Sequence, residues 1–151
     1  MAAINAMKHL IAFALFTLCF TSQAFDTKTY LFQVLEDPHY LKRWSQIFEN
    51  EDSVDDWLIG YTNEYDGVSS PGKEEIIDGS TYEIHNVCKP HSCGDNYFVV
   101  AFPKDGSSAV GILFDGLKVT KYFGFNLQES AHLEKVKEHL GNRRIQHYPT
   151  N

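Results

Sequence analysis

The sequence contains few cysteines and no familiar catalytic motif. Only three of its 151 residues are cysteine, and Cys19 lies in an apolar N-terminal stretch. The GxSxG, HExxH and P-loop patterns are all missing, which leaves no sequence support for hydrolase, metalloprotease or nucleotide-binding chemistry. Repeats, low-complexity tracts and interdomain linkers are missing too. We therefore expect a single domain with no cofactor.

Basic residues are also scarce. The chain has 13 Lys and Arg against 20 Asp and Glu, so its formal net charge is −7 with His neutral. Such a surface repels nucleic acid and anionic membranes and attracts basic proteins. We therefore expect neither nucleic acid nor membrane as a partner, and a basic protein as the favoured one.

The N-terminal stretch predicts a secretory leader. Lys8 is followed by the apolar run IAFALFTLCF, and Ser22 and Ala24 supply the small residues of a cleavage site. The apolar run is too short, and too close to that site, to be a membrane anchor. We expect residues 1–24 to be removed and residues 25–151 to form one periplasmic domain. Its net charge would be about −8, because the leader carries Lys8 and no acidic residue.

Cleavage would leave Cys88 and Cys93 as the only cysteines, on either side of Lys-Pro-His-Ser. In an oxidising compartment the default expectation for such a pair is a disulfide. Closing so short a loop removes little chain entropy, so the bridge would act mainly by fixing the loop. Pro90 restricts the backbone further, while Lys89 and His91 would point outward. The stretch therefore predicts a rigid, cationic, protruding wedge that is ordered before a partner arrives.

Other interpretations of the two cysteines stay open at this point. The bridge can be a plain hairpin staple with an exposed His. A metal site of Cys88, His91 and Cys93 would have only three ligands at cramped spacing. A redox role would require a CxxxxC spacing in place of the usual CxxC. A periplasmic thiol- or metal-dependent protein, and a periplasmic binding module with another partner, are thus the alternatives.

The remaining sequence predicts an α+β domain. An apolar stripe that includes Trp44 follows Pro38 and predicts a helix, and a helical turn over residues 54–59 would bury Trp57 and Leu58. The stretch TNEYDGVSSPGKEE predicts a loop. Five strand-like runs then follow, separated in part by Asp-Gly turns: EEIID, STYEIHNV, NYFVVAF, AVGILF and LKVTKYFG. We predict an antiparallel sheet of about five strands with helices on one face or at the ends.

A helix is predicted near the end of the chain. Asn126 is its candidate N-cap, Glu129 occupies the capping-box position, and Gly141 is its expected stop. Three apolar residues are expected on its buried face: Leu133, Val136 and Leu140. His85, His132 and His139 are expected to be structural or solvated.

The residues CKPHSCG, followed by an apolar strand in a small acidic secreted domain, resemble the Ivy family, the periplasmic inhibitors of vertebrate (c-type) lysozyme. This chain carries the CKPHxC motif of that family at residues 88–93. The helical first half and the later strands fit the α+β layout of the family over most of the mature chain. The sequence after Gly111 departs from the best-known members.

The resemblance implies a mechanism and a partner. In the family, the disulfide-closed loop enters the lysozyme cleft and its His meets the two catalytic carboxylates. By position, the inhibitory loop of this chain is Lys89, Pro90, His91 and Ser92, closed by Cys88 and Cys93. His91 would be the plug, Lys89 a flanking cation and Pro90 a stiffener. The implied protein is a non-enzymatic inhibitor of c-type lysozyme, a basic glycosidase. A lytic transglycosylase is a second candidate target, and a homodimer is a candidate assembly.

Overall fold

The computed structural model describes residues 29–64, 67–125 and 130–147. Three helices come first: α1 (Leu31–Val34), α2 (Pro38–Gln46) and α3 (Asp56–Glu64). Five strands and a last helix follow: β1 (Val68–Ile77), β2 (Ser80–Cys88), β3 (Asn96–Pro103), β4 (Val110–Asp115), β5 (Lys118–Phe123) and α4 (Ala131–His147). The strands form one antiparallel sheet in chain order. The predicted α+β class and five-stranded antiparallel sheet are confirmed.

Helices cover both faces of this sheet. Side chains alternate between faces along a strand, so the fully buried Phe98 and Val99 of β3 point in opposite directions. The Phe98 face packs on apolar residues of α1, α2, α3 and the turns after α1 and α2: Leu31, Leu35, Trp44, Ile47, Trp57, Leu58 and Tyr61. The Val99 face packs on Val136 and Leu140 of α4. The prediction named one face or the ends, whereas the unbroken apolar run of β3 is typical of a strand buried on both sides.

The start of α2 follows standard capping chemistry. The Asp37 side chain accepts a hydrogen bond from the His39 N–H at 2.8 Å, and Pro38 occupies the first helical position. Further along the helix, Trp44 is buried with its ring 5.6 Å from that of Phe98, in an edge-on arrangement. Trp57 in α3 is buried as well. The prediction that both tryptophans belong to the core is confirmed.

The polar stretch before the sheet is not a loop throughout. β1 begins at Val68, so the loop prediction is wrong from that residue onward. Pro71 lies in this strand, which proline tolerates here because β1 is an edge strand and its pairing with β2 is irregular between Ser70 and Lys73. The Gly72 N–H donates to the Thr29 carbonyl at 2.9 Å, which covers part of the outer edge.

The Asp-Gly pairs form turns, as predicted. Asp78 and Gly79 join β1 to β2 with positive φ angles of 48° and 81°, the combination that a two-residue type I′ hairpin requires. Gly106 and Gly116 also have positive φ and lie in the β3–β4 and β4–β5 connections. These glycines keep the strand connections short, so neighbouring strands pair in antiparallel fashion.

The last helix differs from its prediction at its C-terminal part. The Leu133 N–H donates to the Ser130 hydroxyl at 3.1 Å, while the predicted cap residues Asn126 and Glu129 lie outside the described residues. The helix continues through Gly141, so the predicted stop is wrong. An interior glycine costs only about 1 kcal/mol. Within the described residues, no helix is both long and apolar enough to span a membrane.

Two carboxylates fasten α4 to the first hairpin. Glu75 pairs with His139 at 2.7 Å and with Arg143, and Asp78 pairs with Lys135 at 2.6 Å and with His132 at 3.2 Å. Burial alone would raise the pKa of Glu75, but its hydrogen bonds to His139 and Arg143 outweigh burial and lower that pKa. The Lys135 hydrogen bond, followed by that of His132, lowers the pKa of Asp78.

Acid should therefore loosen α4. A carboxylate with a lowered native pKa contributes stability above its unfolded pKa and loses it as the pH falls through the native value. For Glu75, whose ordinary value is 4.5, the loss begins near that pH and is completed below the lowered native value. We expect the urea midpoint to decrease as the pH is lowered from 6 to 3, and to decrease less steeply in Glu75→Gln. Equal pH slopes in both proteins would exclude a contribution from Glu75.

Candidate functional site

The cysteine loop connects β2 to β3. Cys88, the last residue of β2, is opposite Tyr97 in the pairing with β3. The predicted disulfide is present: Cys88 and Cys93 are bonded, with their Cα atoms 4.9 Å apart. Since both sulfurs are in the bridge, neither is a thiolate ready to bind a metal or attack a substrate. Within the described residues, no cluster of three His, Cys, Asp or Glu side chains is arranged to hold a metal ion.

The tip of the loop is a tight turn centred on Pro90 and His91. The Ser92 N–H donates to the Lys89 carbonyl at 3.0 Å, which closes the turn. His91 has a positive φ of 61°. Proline followed by a residue of positive φ is typical of a type II turn, in which the second position usually holds glycine. A non-glycine residue in this conformation costs about 1–3 kcal/mol and persists only where its surroundings hold it.

Asn96 holds both ends of this turn. Its carbonyl accepts from the Lys89 N–H at 3.1 Å, and its N–H donates to the Ser92 carbonyl at 2.8 Å. Its side-chain amide also donates to the Ser92 hydroxyl at 2.9 Å. On the far side, the Gly116 N–H of the β4–β5 turn donates to the Asp95 carbonyl at 2.8 Å. The disulfide is therefore one of several constraints on the loop.

Sequence reasoning missed Asn96. No motif singles it out, because its contact with Ser92 depends on how the hairpin folds back after the turn. The only available signal was its position, as the first residue of the strand that follows the cysteine loop.

The predicted loop residues differ in what they present to solvent. Lys89 and His91 are exposed, whereas Pro90 and Ser92 are half-buried. Within the described part of the chain, no group hydrogen-bonds the His91 ring. The turn thus displays an ammonium and an imidazole from the residues that flank Pro90, and both remain available to a partner.

The other histidines considered from the sequence are engaged elsewhere. His85 is fully buried on β2 and its Nε2 lies 2.6 Å from Glu83 Oε1, while Gly72 packs against its ring. His132 and His139 pair with the carboxylates that fasten α4. The structural role expected for these three side chains is confirmed, and none of them lies in the cysteine loop.

Comparison with known proteins gives a family for this chain, although no family model matches it. The chain is 33% identical over 110 residues to a Pseudomonas aeruginosa protein named Inhibitor of vertebrate lysozyme; the match covers 72% of this chain and 69% of the relative. This chain belongs to the inhibitor of vertebrate lysozyme (Ivy) family. The resemblance noted from the CKPHSC motif is thus confirmed.

Two further relatives are named as uncharacterized proteins. An uncharacterized protein of Yersinia pestis is 26% identical over 80 residues, which cover 53% of this chain and 49% of the relative. An uncharacterized protein of Pseudomonas aeruginosa is 28% identical over 76 residues, which cover 50% of this chain and 46% of the relative.

We call the segment from Cys88 to Cys93 the Ivy loop.

Proposed function

We propose that this protein is a secreted, non-enzymatic inhibitor of c-type lysozyme that inserts its Ivy loop into the active-site cleft. The observation that carries this proposal is the bridged and hydrogen-bonded turn that presents His91 and Lys89 to solvent. Family membership supports it, because the Pseudomonas aeruginosa relative is named for inhibition of vertebrate lysozyme. A preordered loop binds well because its ordering cost is met during folding.

His91 is the proposed plug because an imidazole suits a site with two carboxylates. Lysozyme cleaves its substrate with an acid and a nucleophilic or stabilising carboxylate, and retaining glycosidases place the two groups about 5 Å apart. A protonated imidazole carries an N–H donor on two sides of its ring, so it can bond one carboxylate with each. Such charge-assisted hydrogen bonds are the stronger kind. The ring then occupies both catalytic groups and the space that the sugar needs.

Charge supports the same partner. The whole chain has a formal net charge of −7, and a c-type lysozyme is basic, so long-range attraction favours their encounter. Lys89 is the exception at the tip itself, where a cation suits an active site that contains acidic groups. The acidic body of the inhibitor therefore speeds association with the enzyme, and the cationic tip binds inside the cleft.

Export and assembly complete the proposal. Residues 1–24 are a leader, and residues 25–151 act in the periplasm, where the disulfide is stable. A lytic transglycosylase is a second target to assay, and homodimerisation is measured by sedimentation of the mature chain.

Titration of the folded protein should find no free thiol. Two free thiols would favour the thiol- or metal-dependent alternative.

The proposal is tested by cell-wall lysis. Purified residues 25–151 are titrated into a c-type lysozyme acting on a cell-wall suspension. The lytic rate is expected to approach zero near one inhibitor per enzyme. Unchanged lysis at a large excess of folded, oxidised protein would leave a periplasmic binding module with another partner as the better account.

Asn96 is expected to set the potency of the loop through its hydrogen bond to Ser92. Asn96→Leu removes the hydrogen bond to Ser92 and should raise Kd about fivefold, in line with about 1 kcal/mol for such a bond. Asn96→Asp should recover most of the affinity, because the Ser92 hydroxyl can donate to the new carboxylate. Both Kd values are measured by calorimetry alongside thermal midpoints.

Ser92→Ala provides the matched variant for the same bond. If Asn96 acts through Ser92, the double variant should lose no more affinity than either single variant. Additive losses would show that the two residues act separately, and a loss that simply follows the thermal midpoint would indicate a general structural role.

A further inference from the structure

Two shallow grooves open at the base of the Ivy loop, one on each face of the sheet. The neighbouring β3 residues Asn96 and Tyr97 point to opposite faces, and each lines one groove. We call the first the acidic groove; its lining includes Asp55, Asn96, Leu113, Asp115, Thr120 and Lys121. We call the second the apolar groove; its lining includes Val68, Ser70, Pro71, Cys88, Cys93 and Tyr97.

Both grooves adjoin the fixed points of the loop. Asn96, in the acidic groove, accepts the hydrogen bond from the Lys89 N–H, and the β4–β5 turn beside it bonds to Asp95. The disulfide itself forms part of the wall of the apolar groove. Val68 is opposite Cys88 in the strand pairing, so it sits directly beside the bridge. A protein that surrounds the loop must therefore meet both grooves.

We propose that the two grooves receive the two lips of the cleft that the Ivy loop enters, so that the inhibitor grips its target at three places. This inference rests on the proposed function. A cleft has one lip on each side of the wedge that enters it, and a recess beside the wedge fits a convex lip. The Ivy loop alone is too small to form a stable interface, because such an interface buries about 800 Å² on each partner and uses about 20–30 residues a side.

The two grooves differ in chemistry, which would fix the orientation of the target. In the apolar groove, Val68 is 56% exposed and lies near Pro71 and Tyr97, with Lys73 as a charged residue of the lining, so this side fits a mainly apolar lip. In the acidic groove, Lys121 is already paired with Glu51 at 2.9 Å, which leaves Asp55 and Asp115 to determine the charge. That side fits a basic lip. The preferred target is thus a glycosidase whose cleft has one basic and one apolar rim.

Val68→Asp and Asp115→Lys test the two grooves separately. Each has a matched control on β1 toward the other end of the sheet: Ile76→Asp, at a position that is 75% exposed, and Glu74→Lys. These controls lie about 20–27 Å along the strand from Val68, at roughly 3.3 Å per residue. Binding to a c-type lysozyme is followed by surface plasmon resonance, which gives association and dissociation rates.

Val68→Asp should raise Kd about tenfold, mainly through faster dissociation, because it places a charge in an apolar contact. Asp115→Lys should slow association several-fold at low salt, since a rim charge mostly affects encounter. Both controls should stay within about twofold of wild type. Val68→Ser and Asp115→Asn, which change polarity or charge with less risk to the fold, should show the same effects at reduced size.

The failures of the two proposals are distinguishable. If wild type does not bind lysozyme, the proposed function falls and the grooves fall with it. If wild type binds and His91→Ala loses affinity, but both groove variants match Ile76→Asp and Glu74→Lys, only the three-point grip is overturned. Equal losses in the groove variants and the controls would overturn it as well, since they would show that the position of the substitution does not matter.

Discussion

Replacing His91 with alanine is expected to weaken binding to a c-type lysozyme by about 30-fold or more, in line with the 2 kcal/mol or more lost at interface hot spots. The truncation would leave two desolvated carboxylates without their hydrogen-bond donor, and an unpaired buried charge is costly. Lys89→Ala should cost less, because Lys89 lies on the other side of Pro90 and would reach a wetter rim. Titration calorimetry of both variants measures the difference.

A matched control separates the effect of the loop position from the effect of losing a histidine. His39, at the start of α2, is also exposed, and His39→Ala should bind like wild type. If His91→Ala also binds like wild type, the loop is not the plug.

The affinity should also depend on pH through the same side chain. An imidazole that faces ionised carboxylates binds them more tightly when it is protonated, because it then donates from both nitrogens. Binding should therefore strengthen as the pH falls from about 8 toward about 6, and weaken again once the lysozyme carboxylates take up protons. His91→Gln, which stays neutral, should lose the strengthening between these two pH values.

Removing the disulfide is the second change with a large expected effect. In Cys88→Ser with Cys93→Ser, the loop must be ordered on binding, at about 0.5–1.5 kcal/mol for each immobilised side chain. With Lys89, His91 and Ser92 in the turn, potency should fall tenfold or more. The sheet should still fold, because loss of so short a covalent loop costs only about 2 kcal/mol of stability.

The strained turn sharpens this expectation. His91 keeps its positive φ because its surroundings hold it, so the unbridged loop has reason to leave that conformation. Inhibition assays and circular dichroism on the double variant separate loss of potency from loss of fold. Full potency after mass spectrometry has verified two serines would show that the disulfide is not what orders the loop.

The sequence predicted those elements whose causes are local. Asp-Gly pairs favour the positive φ angles that a two-residue hairpin requires, so the turn at Asp78 and Gly79 could be predicted from the sequence. Pro38 predicted the start of α2 for a similarly local reason, because proline is favoured at the first helical position. The disulfide was predicted from the expected leader, because removal of residues 1–24 would leave two cysteines and one possible pairing.

Elements decided by distant contacts were mispredicted. β1 begins seven residues before Glu75 because Val68 to Ser70 pair with β2, although their local composition is that of a loop. Gly141 does not end α4, because Arg143 in the next turn bonds to Glu75 on β1. At Gly141, this tertiary contact outweighs a local preference of about 1 kcal/mol.

The candidate site divides in the same way. The CKPHSC motif pointed to the turn and its bridge, which are local. The two grooves arise from strand register and from neighbouring turns, so no local pattern could reveal them. The sequence therefore pointed to the tip of the site, and the fold was needed to find its base.

The central claim is that the Ivy loop occupies the lysozyme cleft, and competition with a chitin oligosaccharide tests it most directly. The oligosaccharide fills the cleft, so a loop inserted there must compete with it. The apparent Kd of residues 25–151 for a c-type lysozyme should rise in proportion to the oligosaccharide concentration, with no ternary complex. An affinity that stays constant while the cleft is saturated with sugar would contradict the account.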